Sequence, residues 1–169
     1  MKFLKKLIEK YKKFKLLMTN YPYYKWVRDE GDDKLLLDYD LDDQSIFFEL
    51  GGYNGTYSKK IIEIFNPQTY IFEPSRKYYD LLTEQFNFPN VKIYNFGLAD
   101  TNKIAYLKYD NDASYITNYQ SEYTEKIELR KLSEFIHYEK IRSINLININ
   151  IEGSEYEVLE DIIDSKIIS

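Results

Sequence analysis

The feature that most constrains the fold is a regular alternation of short apolar segments with helix-forming segments after residue 45. Ile46–Leu50 predicts a buried strand, and a glycine turn separates it from a predicted helix over Thr56–Phe65. Thr69–Phe72 predicts a second strand, and Pro74-Ser75 then opens another helix, with Ser75 as its N-cap. Strands that alternate with helices form βαβ units, whose right-handed crossovers build a doubly wound, mostly parallel sheet.

The alternation continues along the rest of the chain. Two of the later strand-like stretches flank a polar loop, and the final helix follows the most apolar of these strands. The further elements predicted are strands over 91–95, 103–109, 126–129 and 144–151 and helices over 132–137 and 154–163. The predicted fold class is therefore α/β, with a Rossmann-like doubly wound sheet.

Residues 1–18 predict an amphipathic basic helix, because apolar side chains recur at helical spacing and lysines occupy the other face. The formal net charge of the whole chain is −5, so this positive segment stands apart from an acidic body. Such a helix is compatible with peripheral attachment to an anionic membrane surface. It is also compatible with packing on its own domain or self-association with a second copy, since basic helical faces are commonly just solvated. The expected organisation is an N-terminal helix and connecting segment over 1–44, followed by one domain over 45–169.

Composition excludes several classes of protein. The chain has no Cys and a single His, which excludes disulfides, thiolate catalysis and a Cys- or His-rich metal cluster, so no metal is predicted. No apolar run approaches the roughly 20 residues of a membrane-spanning helix. Lysines interrupt any secretory signal at the N-terminus, so a cytoplasmic location is expected. The acidic body argues against nucleic acid as a partner.

The turn after the first predicted strand carries the clearest functional signal. In doubly wound sheets the ligand binds beyond the carboxyl ends of the strands. The first strand reaches Glu49 and Leu50, and Gly51, Gly52 and Gly55 follow. The next strand ends at Glu73, whose carboxylate can accept hydrogen bonds from two vicinal ribose hydroxyls. A glycine turn alone also suits an ordinary tight turn, but this order of strand, turn, helix, strand and acid predicts a nucleoside cofactor.

The glycine spacing discriminates between cofactors. A dinucleotide fingerprint requires G-x-G-x-x-G, because the backbone must approach the pyrophosphate closely. Counted from Gly51, this chain has Tyr53 and Thr56 where the second and third glycines are required. S-adenosylmethionine has no phosphates and tolerates a looser turn. The turn therefore favours S-adenosylmethionine and disfavours a nicotinamide-dependent oxidoreductase.

Three stretches resemble the signature segments of FkbM-type methyltransferases in their order and separation: Glu49-Leu-Gly-Gly-Tyr-Asn-Gly55, Phe72-Glu-Pro74 and Ile151-Glu-Gly-Ser-Glu155. Lys131-Leu-Ser-Glu-Phe135 also resembles the Thr-Leu-Asp segment that the family places before its fourth strand. The resemblance extends over residues 45–163. It implies the class I, Rossmann-like methyltransferase fold and S-adenosylmethionine as cofactor. It also implies transfer of a methyl group to a hydroxyl of a sugar or small metabolite, so that the expected partner is a small-molecule or glycan acceptor.

The resemblance also implies roles for individual residues. The glycines would line the methionine portion of the cofactor, Glu73 would hold the ribose, and the segment over 95–100 would border the adenine. The candidate catalytic base is Glu152, with His137 far behind it; the alternative for Glu152 is a carboxylate favoured by the dipole of the following helix. The candidate cofactor-binding residues are Glu49, Gly51, Gly52, Tyr53, Asn54, Gly55, Glu73, Pro74, Asp100 and Asn150.

The chain departs from the family pattern in ways that keep a second hypothesis open. The family usually has Asp at the position of Glu49, and Lys and Asp at the positions of Asn148 and Asn150. Asparagine keeps hydrogen-bonding ability but cannot act as a general base. A class I methyltransferase is also expected to continue with further strands, so the fourth strand would be an open edge unless a partner covers it. The alternative function is a non-catalytic binding or assembly module derived from a methyltransferase.

Overall fold

The structure is a computed structural model of the 169-residue chain. It describes residues 8, 10–12, 14–15, 21–32, 34–110, 113–117, 119–151 and 153–165. The chain divides into two compact units, Met1–Asp40 and Leu41–Ser169. Most of the predicted amphipathic helix over 1–18 lies outside the described residues, and Ile8, Tyr11 and Phe14 within it are exposed. No helix in the described part of the chain is long and apolar enough to cross a membrane.

The first unit contains helix α1 (Tyr21–Arg28) and a 3₁₀ turn over Leu35–Leu37. The chain turns back after α1 around the single tryptophan. Gly31 packs against the indole so closely that a Cβ there would lie 2.2 Å from Trp26 Cδ2. The indole Nε1 donates a hydrogen bond of 3.0 Å to Asp32 Oδ1. This contact explains the glycine, because any side chain at residue 31 would displace the ring.

The second unit carries the remaining elements. In chain order they are β1 (Ile46–Leu50), α2 (Thr56–Phe65), β2 (Gln68–Phe72), α3 (Arg76–Gln85), β3 (Val91–Tyr94), β4 (Gly97–Ala99), β5 (Lys103–Asp110), β6 (Ala113–Thr117), β7 (Thr124–Lys131), α4 (Leu132–Tyr138), β8 (Leu146–Ile149) and α5 (Glu155–Asp164). Four strands form an all-parallel sheet in the order β3-β2-β1-β8. This parallel sheet with its helices fits a Rossmann-like fold, which confirms the predicted α/β class.

The central strands β1 and β2 of the parallel sheet are largely buried on both faces, as their nearly continuous apolar sequences require. Phe47, Phe48 and Leu50 of β1 are all completely buried. One face packs an aromatic cluster against α4, where the rings of Phe72 and Phe135 stand perpendicular with centroids 4.9 Å apart. The other face packs against α2 and α3 through the cluster Ile62, Ile71, Leu82 and Phe86. Helices on both faces hold the carboxyl ends of β1 and β2 at one edge of the sheet.

A second sheet, in the order β4-β7-β5-β6, differs from the predicted single sheet. Strand β5 pairs antiparallel with both β6 and β7, and only β4 and β7 are parallel. Strand β6 occupies the stretch that the sequence predicted as a polar loop. Along β5, the buried Ala105 and Leu107 are flanked by the exposed Ile104 and the less buried Lys108. Such alternation is typical of an antiparallel sheet with one solvated face, so these strands do not join the buried parallel sheet.

Candidate functional site

The glycine turn lies at the carboxyl ends of β1 and β2. The backbone N–H groups of Gly51 and Gly52 both donate to the carbonyl oxygen of Phe72, at 2.9 and 3.4 Å. Gly51 has a φ of 87°, and a Cβ on it would lie 2.1 Å from the carbonyl oxygen of Asn150. Gly55 has a φ of 74°. These positive φ values favour glycine at both positions. The close approach of the Asn150 carbonyl oxygen is a second reason for the glycine at residue 51.

Tyr53 and Asn54 shape the turn between the glycines. The backbone of Tyr53 lies in the left-handed region, with a φ of 46°. Its ring is 48% exposed and lies 4.6 Å from the ring of Tyr78, between centroids. The Asn54 Oδ1 accepts hydrogen bonds from the backbone N–H and the hydroxyl of Thr56, at 3.1 and 2.8 Å. Asn54 therefore satisfies a free N–H at the start of α2, a role that its short polar side chain suits.

Glu73 joins the glycine turn to the turn after β2. Its side chain is only 6% exposed. The Oε2 atom accepts a hydrogen bond of 2.8 Å from the N–H of Tyr53, and Oε1 accepts one of 2.9 Å from the N–H of Ser75. Burial raises the pKa of Glu73, whereas these two hydrogen bonds favour its ionised form. A carboxylate has about four acceptor positions, so acceptor capacity remains for the two hydroxyls of a ribose.

The backbone that carries Glu73 is held from two further directions. The Asn95 Nδ2 donates to the carbonyl oxygens of Glu73 and Pro74, both at 3.1 Å. Ser75 precedes α3 as predicted, but its hydroxyl forms no cap and instead lies 2.6 Å from the hydroxyl of Tyr109. Sequence reasoning missed Tyr109, because it comes from the second sheet and no local pattern connects it to Glu73.

Glu49 faces the protein interior, and it is 3% exposed. Its Oε1 accepts a hydrogen bond of 2.6 Å from Asn148 Nδ2, and its Oε2 accepts one of 3.0 Å from the hydroxyl of Ser58. Burial outweighs these two bonds and raises the pKa of Glu49 to about 8. Burial therefore favours the protonated, uncharged form of Glu49. The uncharged amide of Asn148 suits such a neighbour, because it donates a hydrogen bond to the carboxyl without needing an opposite charge.

The residues after β8 meet the glycine turn through the backbone. The N–H of Asn150 donates to the carbonyl oxygen of Leu50 at 2.9 Å, and the Asn150 side chain is exposed. The candidate base Glu152 lies outside the described residues. Its neighbour Gly153 has a φ of 113° and donates its N–H to Glu155 Oε2 at 2.9 Å. The backbone at Asn150, after β8, is thus next to the turn that follows β1.

Two other candidates lie in a different part of the unit. Asp100 pairs with Lys103 at 3.8 Å, at the end of β4 in the second sheet. His137, on α4, lines a cavity of about 560 Å³ together with Phe135 and Tyr138. None of the residues that line this cavity belongs to the glycine turn or to the turn that carries Glu73. The glycine turn, Glu73 with Pro74, and the backbone of Asn150 are the predicted residues that the structure brings together, whereas Glu49 points into the interior beside them.

Comparison with models of known protein families shows to which family the chain belongs. The model of the methyltransferase FkbM domain matches residues 49–169. The chain belongs to the FkbM methyltransferase family. In this FkbM methyltransferase domain, the matched region begins at Glu49 and includes the glycine turn, Glu73 and the whole second sheet. No curated protein shows significant similarity to the chain.

Proposed function

We propose that this FkbM domain binds S-adenosylmethionine at the carboxyl ends of β1 and β2 and methylates a hydroxyl group of a sugar or small metabolite. The observation that carries the proposal is the position of Glu73. Its buried carboxylate lies beside a glycine turn and keeps acceptor capacity after binding the N–H groups of Tyr53 and Ser75. Such a site suits the vicinal hydroxyls of an adenosine ribose.

The side chain of Tyr53 supports this cofactor over a dinucleotide. Tyr53 occupies the position where the dinucleotide fingerprint requires its second glycine, and its backbone N–H already binds Glu73. A tyrosine with a Cβ at this point hinders the close approach of a pyrophosphate to the backbone. A cofactor without phosphates avoids that conflict.

The chain's own residues would contribute mainly by positioning. When bound, S-adenosylmethionine supplies an electrophilic methyl group on a positively charged sulfur. Glu73 would orient the nucleoside, and the glycine turn would place its backbone beside the methionine portion. A hydroxyl acceptor must also lose its proton, and we propose Glu152 as the base, since it follows Asn150 in the sequence, whose backbone N–H bonds to Leu50 at the start of the turn. Orientation of acceptor and methyl group then accounts for most of the rate enhancement.

Isothermal titration with S-adenosylmethionine, its demethylated product and NAD tests the cofactor assignment. We expect binding of the first two and none of NAD. Glu73→Ala should weaken binding at least about fivefold, because two ribose hydrogen bonds of about 0.5–1.5 kcal/mol each are lost. Glu63→Ala, which removes an exposed carboxylate from α2, is the matched control and should bind like the wild type.

Thermal melting of each variant without ligand would show whether Glu73→Ala is folded at the temperature of the titration. Equal affinities of a folded Glu73→Ala variant and the wild type would contradict the ribose role of Glu73. Transfer of a labelled methyl group to a panel of sugars and small hydroxylated compounds then tests the reaction. Labelling of nitrogen or carboxyl acceptors alone would contradict the proposed hydroxyl chemistry.

A further inference from the structure

We propose that the second sheet sets the affinity of the domain for its cofactor through Tyr109 and Glu125, which act as positioning residues for Glu73. This inference rests on the proposed function, since it assumes that Glu73 holds the cofactor. Neither residue belongs to the parallel sheet. Both lie on the neighbouring antiparallel strands β5 and β7, next to the turn that carries Glu73.

The two side chains close a ring of hydrogen bonds around the start of α3. The Tyr109 hydroxyl lies 2.6 Å from the hydroxyl of Ser75 and donates to Glu125 Oε2 at 2.5 Å. The other oxygen of Glu125 accepts a hydrogen bond of 2.7 Å from the backbone N–H of Arg76. Ser75 in the turn and Arg76 at the start of α3 are therefore attached to two neighbouring strands of the second sheet, β5 and β7.

Ser75 transmits this attachment to the cofactor site. It is completely buried, and its N–H is one of the two described backbone donors to the Glu73 carboxylate. A shift of Ser75 away from the second sheet would lengthen that bond and turn the carboxylate. Asn95 holds the same turn from the other side through the carbonyl oxygens of Glu73 and Pro74. With both supports in place, the direction of the two carboxylate oxygens is defined before a ligand arrives.

The charges around Tyr109 keep the link in place at neutral pH. Burial and the hydrogen bond to Glu125 raise the pKa of Tyr109 to about 12, so the hydroxyl keeps the proton that it donates. Glu125 also adds to the effect of burial in raising the pKa of Glu73. The second sheet thus acts on Glu73 through both geometry and charge.

Removal of the Tyr109 hydroxyl should affect the site more than the fold. The second sheet has its own apolar core of Ala99, Ala105, Leu107, Ile127 and Leu129. The Tyr109 side chain is 40% exposed, and Tyr109→Phe leaves this core unchanged. Tyr106 is a matched control on the same strand, because its hydroxyl binds only the exposed Gln120 at 3.2 Å among the described contacts.

The test is isothermal titration of S-adenosylmethionine into the wild type, Tyr109→Phe, Ser75→Ala, the double variant and Tyr106→Phe. Tyr109→Phe should bind S-adenosylmethionine about fivefold more weakly, because a hydrogen bond with a net contribution of about 1 kcal/mol changes an equilibrium constant about fivefold. Ser75→Ala should be similar, and the double variant should be little worse than either, because both changes remove the same link. Tyr106→Phe should bind like the wild type.

Hydrogen exchange of the backbone amides supplies a readout that does not depend on the ligand. Exchange at Ser75 and Arg76 should accelerate in Tyr109→Phe and stay at the wild-type rate in Tyr106→Phe. If the wild type binds the cofactor and Tyr109→Phe binds it equally well, the inference is overturned and the proposed function stands. The inference also fails if Tyr106→Phe weakens binding as much as Tyr109→Phe. Absence of binding by the wild type overturns both the proposed function and this inference.

Discussion

The buried carboxyl of Glu49 makes the stability of the domain depend on pH in an unusual direction. Its pKa is raised from the ordinary 4.5 to about 8 by burial, so the folded protein holds a proton that the unfolded chain releases. As pH rises above 4.5, ionisation of the unfolded chain increasingly favours unfolding. The contribution of this group to stability is therefore largest below pH 4.5, falls as pH rises to about 8, and changes little above that.

The magnitude follows from the size of the shift. One pKa unit corresponds to 1.36 kcal/mol, so a shift from 4.5 to about 8 lowers the free energy of unfolding by roughly 4–5 kcal/mol across the window. About 3 kcal/mol of this is already lost at pH 7. For a chain of this length, 1 kcal/mol changes Tm by roughly 2–4 °C. Wild-type Tm should therefore fall by about 6–12 °C between pH 4.5 and 7 on account of this group.

Glu49→Gln isolates the effect, because the amide resembles the protonated carboxyl and can bind both Asn148 and Ser58. We expect its Tm to be less dependent on pH than that of the wild type, and to exceed the wild-type Tm at pH 8. Glu63→Gln controls for the change in net charge, since it alters an exposed carboxyl on α2. Calorimetric melting from pH 4.5 to 8.5 measures all three proteins. Parallel Tm curves for wild type and Glu49→Gln would refute the reasoning.

Two further pairs of substitutions test local backbone conformation and hydrogen bonding. Gly51→Ala should destabilise the fold by more than Gly153→Ala. Both glycines have a positive φ, which costs a residue with a side chain about 1–3 kcal/mol, but of the two only residue 51 would bring a Cβ into collision with a backbone atom, the Asn150 carbonyl oxygen. Equal losses of unfolding free energy in urea titrations would contradict this prediction. Asp161→Ala should cost about 1–3 kcal/mol, because Asp161 accepts hydrogen bonds from the N–H and hydroxyl of Ser133 at 2.8 and 2.9 Å. Asp161→Asn should lose less, since it keeps an acceptor, and the same urea titrations compare the two.

The sequence predicts the parallel sheet well and the second sheet poorly, for a physical reason. Strands buried on both faces have nearly continuous apolar runs, as in Ile46–Leu50, and glycine or proline marks their ends. Strands β5 and β7 of the second sheet pair antiparallel although β6 separates them in the sequence, as Tyr106 does with Lys126. Local patterns show that such a strand exists but carry no information on its partner. Strand β6, between residues 113 and 117, lacks even this local signal, because its sequence Ala-Ser-Tyr-Ile-Thr is as polar as that of a loop.

The same limit applies to the candidate site. Glu73 is predictable because an acid at the end of a strand after a glycine turn is a local signal. The inward direction of Glu49 depends on its register opposite Asn148, nearly 100 residues away, which the sequence alone does not provide. The roles of Tyr109 and Glu125 depend on the packing of the second sheet beside the turn that carries Glu73. Residues that support a site from a distance are thus the ones that sequence patterns miss.

The most direct test of the central claim is an NMR titration of ¹⁵N-labelled protein with S-adenosylmethionine. The proposed site consists of two segments, the glycine turn from Gly51 to Gly55 and the segment from Glu73 to Arg76. Backbone amide shifts should change first and most strongly at these two segments. Amides of Phe135 to Tyr138, beside the separate cavity, should change little. Changes confined to that cavity, or no changes at saturating cofactor, would contradict the assignment of this site.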